Sequence, residues 1–480
     1  MTWKTKRRAV AAAVAVGLLA VGCTNSSSGK SGSGSTDTTQ AGGNTVTTYQ
    51  GTDFTKNQPV NAQGVTDKEI KVASVTSITS VLGGQDAELN DGIDAYFGKI
   101  NSEGGIWGRQ LKLTSKRDDI QVNNLNTVQA MIVQDKPYAA FIATDGFSGA
   151  KLLGKAGIPT YGWNINAEWA GPKNFFPNIA PICLEGCPLL PHILPTLVKS
   201  AGKHKVAVIG YNVPQAAGCV TGANNTMKQF GKDVDASMVY SDASAGFGNA
   251  DWSPQVAQMK EKGVDFLVTC VDFNADFAIA KEMARQGIRD KVTFYHANLY
   301  NPEFVAKNKD AFQNDLVLAQ ITAVEQLPNI PAQTEFLDYA QAHDVKISEL
   351  TMQGWIAAQQ FVDGLKAAGP DFTWANLVNA WNTQKWYTGH GWVPPIDWTR
   401  QHTDPAQGDQ YRSAFECGNF LKVDNGKFVP YLAKPGKPWI CFDGHKLDTW
   451  QTPVNVSFEG KPFSITEVNG KAQVTEDTSG

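Results

Sequence analysis

Strand-length apolar segments alternate with helix-length amphipathic segments in two successive series, and this alternation constrains the fold more than any other feature of the chain. The first series begins near residue 70 and the second near residue 191. Alternation of this kind is typical of parallel sheets with helices on both faces. We therefore predict an α/β protein with two units of the same kind, followed after residue 321 by helices with little strand signal.

The stretch from residue 139 to residue 166 is the most informative part of the first series. Residues 139–143 form an apolar run with the length of a buried strand, residues 150–156 predict a helix, and a second strand begins at residue 158. In an open parallel sheet, ligands bind outside the carboxyl ends of the strands, so the loops after these two strands are predicted to form a binding edge. Their candidate site residues are Asp145, Gly146, Phe147, Ser148, Trp163, Asn164 and Asn166.

Loops at other strand ends supply further candidates. These are Gln85 in the first strand–helix loop, Tyr211 after the first strand of the second series, and the predicted loop of Asp272, Phe273 and Asn274 after a strand at 266–270. Trp163 and Phe273 are either ligand-stacking aromatics or core residues, and Tyr211 is either a wall of the site or core. For Asp145 the preferred role is to accept a hydrogen bond from a ligand; the other is to cap the helix that follows it, and the two are compatible.

The N-terminus has the pattern of an export signal. Basic residues at positions 4–8 precede an apolar run at 9–21, which is too short for an ordinary spanning helix. Small residues directly before Cys23 resemble a bacterial lipobox, which implies a signal peptide over residues 1–22 and a lipid on the Cys23 sulfur. The alternative is ordinary signal cleavage with Cys23 incidental. Residues 23–64 are rich in Ser, Gly and Thr, so we predict a flexible tether and a folded body just outside the cell membrane.

Charge and motif content exclude several classes of function. Removal of residues 1–22 takes away four of the 42 basic residues and none of the 46 acidic residues, so the net charge moves from −4 to −8. This balance argues against a nucleic-acid partner. The sequence shows no paired histidines at metal-binding spacing, no Walker-type phosphate loop and no dinucleotide fingerprint, so we predict neither a metal nor a cofactor. It also has no second hydrophobic span, so the chain is not itself a transporter.

Six cysteines follow Cys23, and an even number in an exported chain suggests disulfides. Cys183 and Cys187 are close enough for a local loop, and Cys417 and Cys441 flank a late segment. Cys219 and Cys270 then remain, and a flavodoxin-like strand order would bring the predicted Cys219 loop beside the strand that ends at Cys270. Free buried thiols are the alternative. A zinc site at Cys183 and Cys187 lacks a second pair at suitable spacing.

One short segment has the form of a catalytic motif. Residues 146–150 read Gly-Phe-Ser-Gly-Ala between a strand and a helix, as in the nucleophile elbow of hydrolases, with Ala in place of the last Gly. A serine hydrolase using Ser148 would need a later acid and a histidine, for which His390, His402 and His445 are available. A simple Gly/Ser turn is the preferred interpretation, because short motifs recur by chance. We therefore predict that the protein is not an enzyme.

Seven short segments occur in a characteristic order along the chain. They are VTDKEI at 65–70, AYF at 95–97, INSEGGIWGR at 100–109, RDD at 117–119, AGIP at 156–159, NADFA at 274–278 and GW at 354–355. Together they resemble the type I periplasmic binding proteins, and more narrowly the branched-chain-amino-acid and amide-type receptors of ABC transporters. The resemblance covers about residues 65 to 398, and its order and spacing are more specific than any single segment.

This resemblance implies two Rossmann-like lobes joined by a three-segment hinge, with the ligand in the cleft between them. Lobe 1 would comprise residues 65–190 and 321–392, and lobe 2 residues 191–320 and 393–480. Hinge closure around the ligand would be the working motion. The implied protein is a monomeric, lipid-anchored, extracytoplasmic receptor that delivers a small-molecule solute to an ABC transporter permease. The alternative partner is a membrane protein of a signalling system, which would make the chain a sensing subunit.

The resemblance also assigns roles within the cleft. The family's serine-rich turn, which holds a ligand carboxylate, falls on residues 145–148, where Asp145 replaces a neutral hydroxyl. The aromatic clamp of lobe 2 falls near Asp272, Phe273 and Asn274. The acidic residue that pairs with a ligand amino group falls at or near Asn298, which is neutral. Because both ends of the α-amino-acid pattern are changed, we expect a small polar solute, for which an amide, polyol or cation is as suitable as an amino acid.

Overall fold

The computed structural model describes residues 53–80, 85–179, 190–402, 415–444, 446–458, 463–468 and 471–476. The predicted signal peptide, the lipidation site at Cys23, the tether as far as residue 52, and Cys183, Cys187 and His445 lie outside the described residues. Within the described part, the strands form three sheets. No helix of this part is long and apolar enough to cross a membrane.

The first sheet is entirely parallel and has the strand order β2-β1-β3-β4-β5. β3 is buried at every position, as expected for a strand covered on both faces. The predicted order of alternating strands and helices is therefore confirmed in this part of the chain. Its elements are β1 (Glu69–Thr76), α1 (Glu88–Ser102), β2 (Gln110–Asp118), α2 (Asn124–Ala130), β3 (Ala139–Ala143), α3 (Ala150–Ala156), β4 (Thr160–Gly162) and β5 (Phe175–Pro177).

The second sheet begins with a parallel half of the same kind, in the order β7-β6-β8-β9-β10. β6 lies between β7 and β8, which is the strand order that the cysteine prediction required. The elements are α4 (Ile193–Ser200), β6 (Lys205–Tyr211), α5 (Pro214–Phe230), β7 (Ser237–Ala245), α6 (Ser253–Lys262), β8 (Phe266–Cys270), α7 (Phe273–Arg285), β9 (Thr293–His296), α8 (Pro302–Lys307), α9 (Lys309–Phe312) and β10 (Leu316–Ala319).

Helices return after β10, and late strands then complete the second sheet on its far side. The late strands pair antiparallel, β11 with β10 and then β13 and β14 further out. A separate pair, β15 with β16, forms the third sheet. The remaining elements are α10 (Pro331–His343), α11 (Glu349–Ala368), α12 (Trp374–Asn382), β11 (Phe415–Asp424), β12 (Lys427–Tyr431), β13 (Trp439–Asp443), β14 (Val454–Val456), β15 (Phe463–Val468) and β16 (Lys471–Glu476).

Two helix starts differ from the sequence prediction. Asp272 is not a loop residue but the N-cap of α7, because its side chain accepts hydrogen bonds from the backbone N–H groups of Asn274 and Ala275. Phe273 and Asn274 therefore belong to the first turn of α7. Cys219 also lies within a helix rather than in a loop, because Pro214 starts α5 several residues earlier than predicted. Cys219 nevertheless forms the expected disulfide with Cys270, and Cys417 pairs with Cys441.

A buried ion pair connects the late strand β11 with the start of α4. Nδ1 of His192 lies 2.7 Å from Glu416 on β11, and its Nε2 lies 2.8 Å from the carbonyl oxygen of Thr449. The Glu416 carboxylate also accepts a hydrogen bond from the backbone N–H of Ile193, in the first turn of α4. Burial alone would lower the pKa of His192, but the Glu416 carboxylate and the Thr449 carbonyl outweigh it and raise the pKa. Residues 416 and 449 of the late segment are thus held against the start of α4.

Helices α1 and α11 pack closely because each contributes a glycine at the contact. A Cβ atom at Gly354 would lie 2.0 Å from the carbonyl oxygen of Leu89, and one at Gly92 would lie 1.9 Å from that of Thr351. α11 is buried along almost its whole length, and Phe361 packs against Phe141 on β3 with ring centroids 5.8 Å apart. This contact fixes the returning helices against the first sheet.

We expect Gly354→Ala to lower the free energy of unfolding by about 2 kcal/mol or more, because the new methyl group can be accommodated only by moving two backbones apart. Urea unfolding followed by circular dichroism measures the loss. Gly246→Ala is the matched control, since a Cβ there meets no atom within 4 Å. Equal unfolding midpoints for Gly354→Ala and the wild type would contradict the proposed close packing.

Candidate functional site

A cavity of about 250 Å³ lies where the carboxyl ends of the parallel strands of the two sheets face each other. Its polar lining residues are Gln85, Asp86, Asp145, Asn164, Gln215, Thr269, Asp272, Asn298 and Gln320. Most of the remaining lining is apolar and consists of Trp163, Ile165, Ile179, Leu190, Leu194, Tyr211, Val213, Ala216, Cys219, Phe247, Val268, Cys270, Val271, Tyr295, Ala297 and Leu318. The strand-end position is the binding edge expected for parallel sheets.

Asp145 lies in the turn directly after β3. Its Oδ2 accepts hydrogen bonds from Ser80 Oγ at 3.1 Å and from Gln121 Nε2 at 2.9 Å. Burial raises the pKa of the Asp145 carboxyl, although these two hydrogen bonds oppose the shift. Asp145 does not cap α3, because the N-cap position of that helix is Gly149. Of the two roles that the sequence left open for Asp145, the capping role is therefore wrong.

Asp86 is a second carboxylate at the cavity, next to the predicted Gln85. Only 3% of the residue is exposed, and its Oδ2 has no hydrogen-bond partner among the described residues. Burial raises the pKa of Asp86 well above its ordinary value, and the neighbouring carboxylates of Asp145 and Asp119 add to the shift. A buried acceptor without a donor is costly, so this atom is suited to meet a donor on a ligand.

Asp119 has a supporting role behind the turn. Its carboxylate accepts hydrogen bonds from Ser77, Thr144 and Asn124 and from the backbone N–H of Gln121. It is fully buried and is not among the residues that line the cavity. These bonds join the loops after β1, β2 and β3, so Asp119 holds the segment that carries Asp145 in place.

On the opposite side, Tyr211 and Asp272 form a fixed pair. The Tyr211 hydroxyl donates to Asp272 Oδ2 at 2.6 Å, while Asp272 Oδ1 caps α7. Burial and the adjacent carboxylate raise the pKa of Tyr211. The Tyr211 ring packs edge-on against Phe247 with centroids 5.2 Å apart. Tyr211 is thus a wall of the cavity, and both oxygens of Asp272 are already engaged by the protein.

Two hydrogen bonds cross the cavity. Each connects a residue that follows a strand of the first sheet with a residue that follows a strand of the second. Trp163 Nε1 donates to Gln320 Oε1 at 2.7 Å, and Gln215 Nε2 donates to the backbone carbonyl oxygen of Asp145 at 2.5 Å. Trp163 follows β4, whereas Gln215 and Gln320 follow β6 and β10. These bonds hold the two groups of strand ends together around the cavity.

The structure brings together Gln85, Asp145, Trp163, Asn164, Tyr211, Asp272 and Asn298 from the predicted set. Phe273 instead packs on Phe304, with centroids 4.5 Å apart, and lines a narrow recess beside the cavity together with Trp163.

The other predicted residues do not line the cavity. Phe147 is core, because it packs between Trp169 and Phe175. Asn166 donates to the Thr144 carbonyl oxygen and so supports the Asp145 turn from behind. Gly146 lies within that turn, while Ser148 and Asn274 are exposed.

The residues that sequence reasoning missed are mainly the apolar walls and Asp86. Gln215, Phe247 and Gln320 could have been found, since each follows the end of a parallel strand as the predicted residues do. Leu194 lies within α4 and Leu318 within β10, so neither carries such a signal, because apolar residues inside helices and strands are indistinguishable from core.

Among the described residues, neither His390 nor His402 forms a hydrolase site with Ser148. His390 lies 2.9 Å from Asp363, and His402 packs against Trp398 and Phe176. In the described part of the chain, Ser148 forms no hydrogen bond with either histidine. No group of three or more His, Cys, Asp and Glu side chains in this part has an arrangement that would hold a metal ion.

Comparison of the sequence with models of known protein families identifies the family to which this chain belongs. The model of the periplasmic binding protein family matches residues 69–426, which is most of the chain. The chain therefore belongs to the periplasmic binding protein family, as its sequence motifs predicted. The match ends where β12 begins, so the elements from β12 to β16 lie beyond it. No curated protein matches the sequence significantly.

Solved structures show the same fold at low sequence identity. A fatty acid ABC transporter substrate-binding protein from Thermomonospora curvata has a TM-score of 0.62 and 17% identity, with 82% of this chain and 97% of that chain covered. A branched-chain amino acid ABC transporter protein from Thermus thermophilus with bound valine has a TM-score of 0.60 and 17% identity, covering 76% and 95%. An ABC transporter solute-binding protein from R. palustris in complex with benzoate has a TM-score of 0.58 and 17% identity, covering 75% and 95%.

Proposed function

We propose that this protein is an extracytoplasmic solute-binding protein that captures a small solute in the cavity and delivers it, chemically unchanged, to an ABC importer. The observation that carries the proposal is the cavity itself, which is enclosed by strand ends of both sheets and bridged by Trp163 and Gln215. Membership of the periplasmic binding protein family supports the same function.

The predicted lobes and hinge form part of this proposal. Residues 65–190 with 321–392 and residues 191–320 with 393–480 would move as two lobes, and the hydrogen bonds across the cavity would break when the cleft opens. A permease would distinguish the closed form from the open form. The predicted monomer belongs to the same proposal.

A thermal-shift screen of the full chain tests the capture of a solute. We expect one class among amino acids, amides, polyols, sugars, amines and short acids to raise the unfolding midpoint. A ligand at 100 times its Kd that binds only the folded state adds about 2.7 kcal/mol to the free energy of unfolding. The absence of any shift across all classes would contradict the proposed function.

The lipid anchor is proposed from the sequence at Cys23. We expect the wild-type protein to sediment with membranes, and Cys23→Ser to appear in the soluble fraction or to retain its signal peptide. Mass spectrometry of the N-terminal peptide identifies the lipid directly. An unmodified N-terminal peptide from the wild type would favour ordinary signal cleavage instead.

A further inference from the structure

We propose that the cavity selects solutes that carry a protonated amine on a small apolar body and no carboxylate. This inference rests on the proposed function and names the class of solute that the site would take. Three observations support it. The charged residues of the described lining are all acidic, two aspartates have carboxylate oxygens that can accept further hydrogen bonds, and the remaining walls enclose a small apolar volume.

All charged residues in the described lining of the cavity are acidic. Asp86, Asp145 and Asp272 are acidic, and none of the described residues around the cavity is Lys, Arg or His. A carboxylate on a ligand would therefore be buried without a basic partner and beside carboxyl groups whose ionisation it opposes, whereas a cation would favour that ionisation. The relatives with bound valine and benzoate hold ligands that do carry a carboxylate, so this chain would differ from them in specificity.

The free acceptors are concentrated at Asp86 and Asp145. Asp86 Oδ2 is buried and lacks a donor in the described part of the chain. Both hydrogen bonds that the Asp145 carboxylate accepts from the described side chains go to Oδ2, so none of these side chains donates to Oδ1. Asp272 has no such vacancy, because the α7 backbone and Tyr211 occupy its oxygens. An ammonium group has three N–H donors and a positive charge. It can therefore donate hydrogen bonds to the oxygens of Asp86 and Asp145 and also balance the negative charge of their carboxylates.

The rest of the cavity suits a hydrocarbon rather than a polyol. Ile165, Leu194, Phe247 and Leu318 are among the walls, and they offer no partners for hydroxyl groups. A cavity of about 150 Å³ holds a benzene molecule, so a cavity of about 250 Å³ has room for a ring or a branched alkyl group together with a short chain. A short branched alkyl or a phenyl group on a two-carbon chain is of the right size.

Two matched sets of probes test the inference by titration calorimetry on the full chain. One set is 2-phenylethylamine, 3-phenylpropionate and phenylalanine, and the other is isopentylamine, 4-methylpentanoate and leucine. We expect the amine of at least one set to bind at least tenfold more tightly than the acid and the amino acid of that set. Equal or tighter binding of the acid or the amino acid would overturn the inference but leave the proposed function intact.

Two further results are decisive. If neither amine binds while another solute of the wider thermal-shift screen does, the inference is wrong and the proposed function stands. If no solute binds in either experiment, both are overturned.

Substitution of the two carboxylates locates the binding. Asp86→Asn and Asp145→Asn keep the shape of each side chain but remove its charge, so each should weaken amine binding at least tenfold. Asp310→Asn, an exposed aspartate on α9, is the matched control and should bind the amine as the wild type does. Unchanged amine affinity in both cavity variants would refute the assignment. The probe comparison on the wild-type protein remains a complete test if either variant fails to fold.

Discussion

Replacement of His296 by glutamine should lower the free energy of unfolding by about 3–5 kcal/mol. His296 is fully buried, with Nδ1 2.9 Å from Asp276 Oδ2 and Nε2 2.8 Å from Asp315 Oδ2. Removal of one partner from a buried ion pair leaves an uncompensated charge, and here two carboxylates would lose their shared cation. Arg289 still contacts Asp315 in the variant, so the main loss falls on Asp276. Urea unfolding measures it, with the exposed His343→Gln as control.

The same histidine predicts a pH dependence of definite sign. The two carboxylates overcome burial and raise the pKa of His296 from 6.5 to about 9. Because the folded form holds the proton more tightly, the stabilisation is complete below about pH 6.5 and disappears as the pH rises through 9. The free energy of unfolding that is lost over this pH range is about 3 kcal/mol, because each unit of pKa difference corresponds to about 1.36 kcal/mol.

Glu349 also makes the folded protein less stable as the pH rises, so its contribution has to be separated from that of His296. Burial raises the pKa of Glu349 to about 8, so ionisation of this carboxyl also favours unfolding as the pH rises. The difference between the wild type and His296→Gln isolates the histidine from this background. We expect that difference to shrink between pH 6.5 and pH 10. A constant difference over this range would mean that His296 is neutral in the folded protein.

The second large effect concerns the disulfide between Cys219 and Cys270. It links α5 to the end of β8 across 51 residues, and both cysteines line the cavity. In the chain-entropy model, loss of a crosslink of this length costs about 4 kcal/mol, because the unfolded chain regains the freedom that the loop removed. We therefore expect Cys219→Ser with Cys270→Ser to unfold at a clearly lower urea concentration than the wild type.

The other disulfide provides the matched control. Cys417 and Cys441 are 24 residues apart, so the same model gives about 3 kcal/mol for Cys417→Ser with Cys441→Ser. The predicted order of stability is wild type, then the 417/441 variant, then the 219/270 variant. Quantitative thiol labelling of the unfolded, unreduced wild type at these four cysteines would contradict both crosslinks.

Much of the fold could be predicted because its signals are local. The apolar run at 139–143 indicated a buried parallel strand, and β3 lies there with the same bounds. Helix starts were less predictable, since Asp272 and Pro214 begin their helices through a capping bond and a fixed backbone angle. The late strands that extend the second sheet give weak signals, because the chain after residue 393 is rich in turn-forming and aromatic residues and has few apolar runs of strand length.

The candidate site was predictable only in part for a related reason. Asp145, Trp163 and Asn298 follow parallel strands, and the ends of such strands meet at one edge. Phe147 lies in the same loop as Asp145, yet its ring points into the core beside Trp169 and Phe175. Asp86 looks like an ordinary residue before a helix, and only the folded chain shows that its Oδ2 is buried without a donor among the described residues.

The most direct test of the central claim is to fill the cavity and measure solute binding. Ala297 lines the cavity and is only half-buried, so Ala297→Trp would occupy much of its volume. Ala342→Trp places the same side chain at an exposed position of α10 and serves as the control. Native mass spectrometry should show one solute molecule on the wild type and on Ala342→Trp, and none on Ala297→Trp. Equal occupancy of the folded Ala297→Trp variant would contradict the account, because the solute would then bind elsewhere.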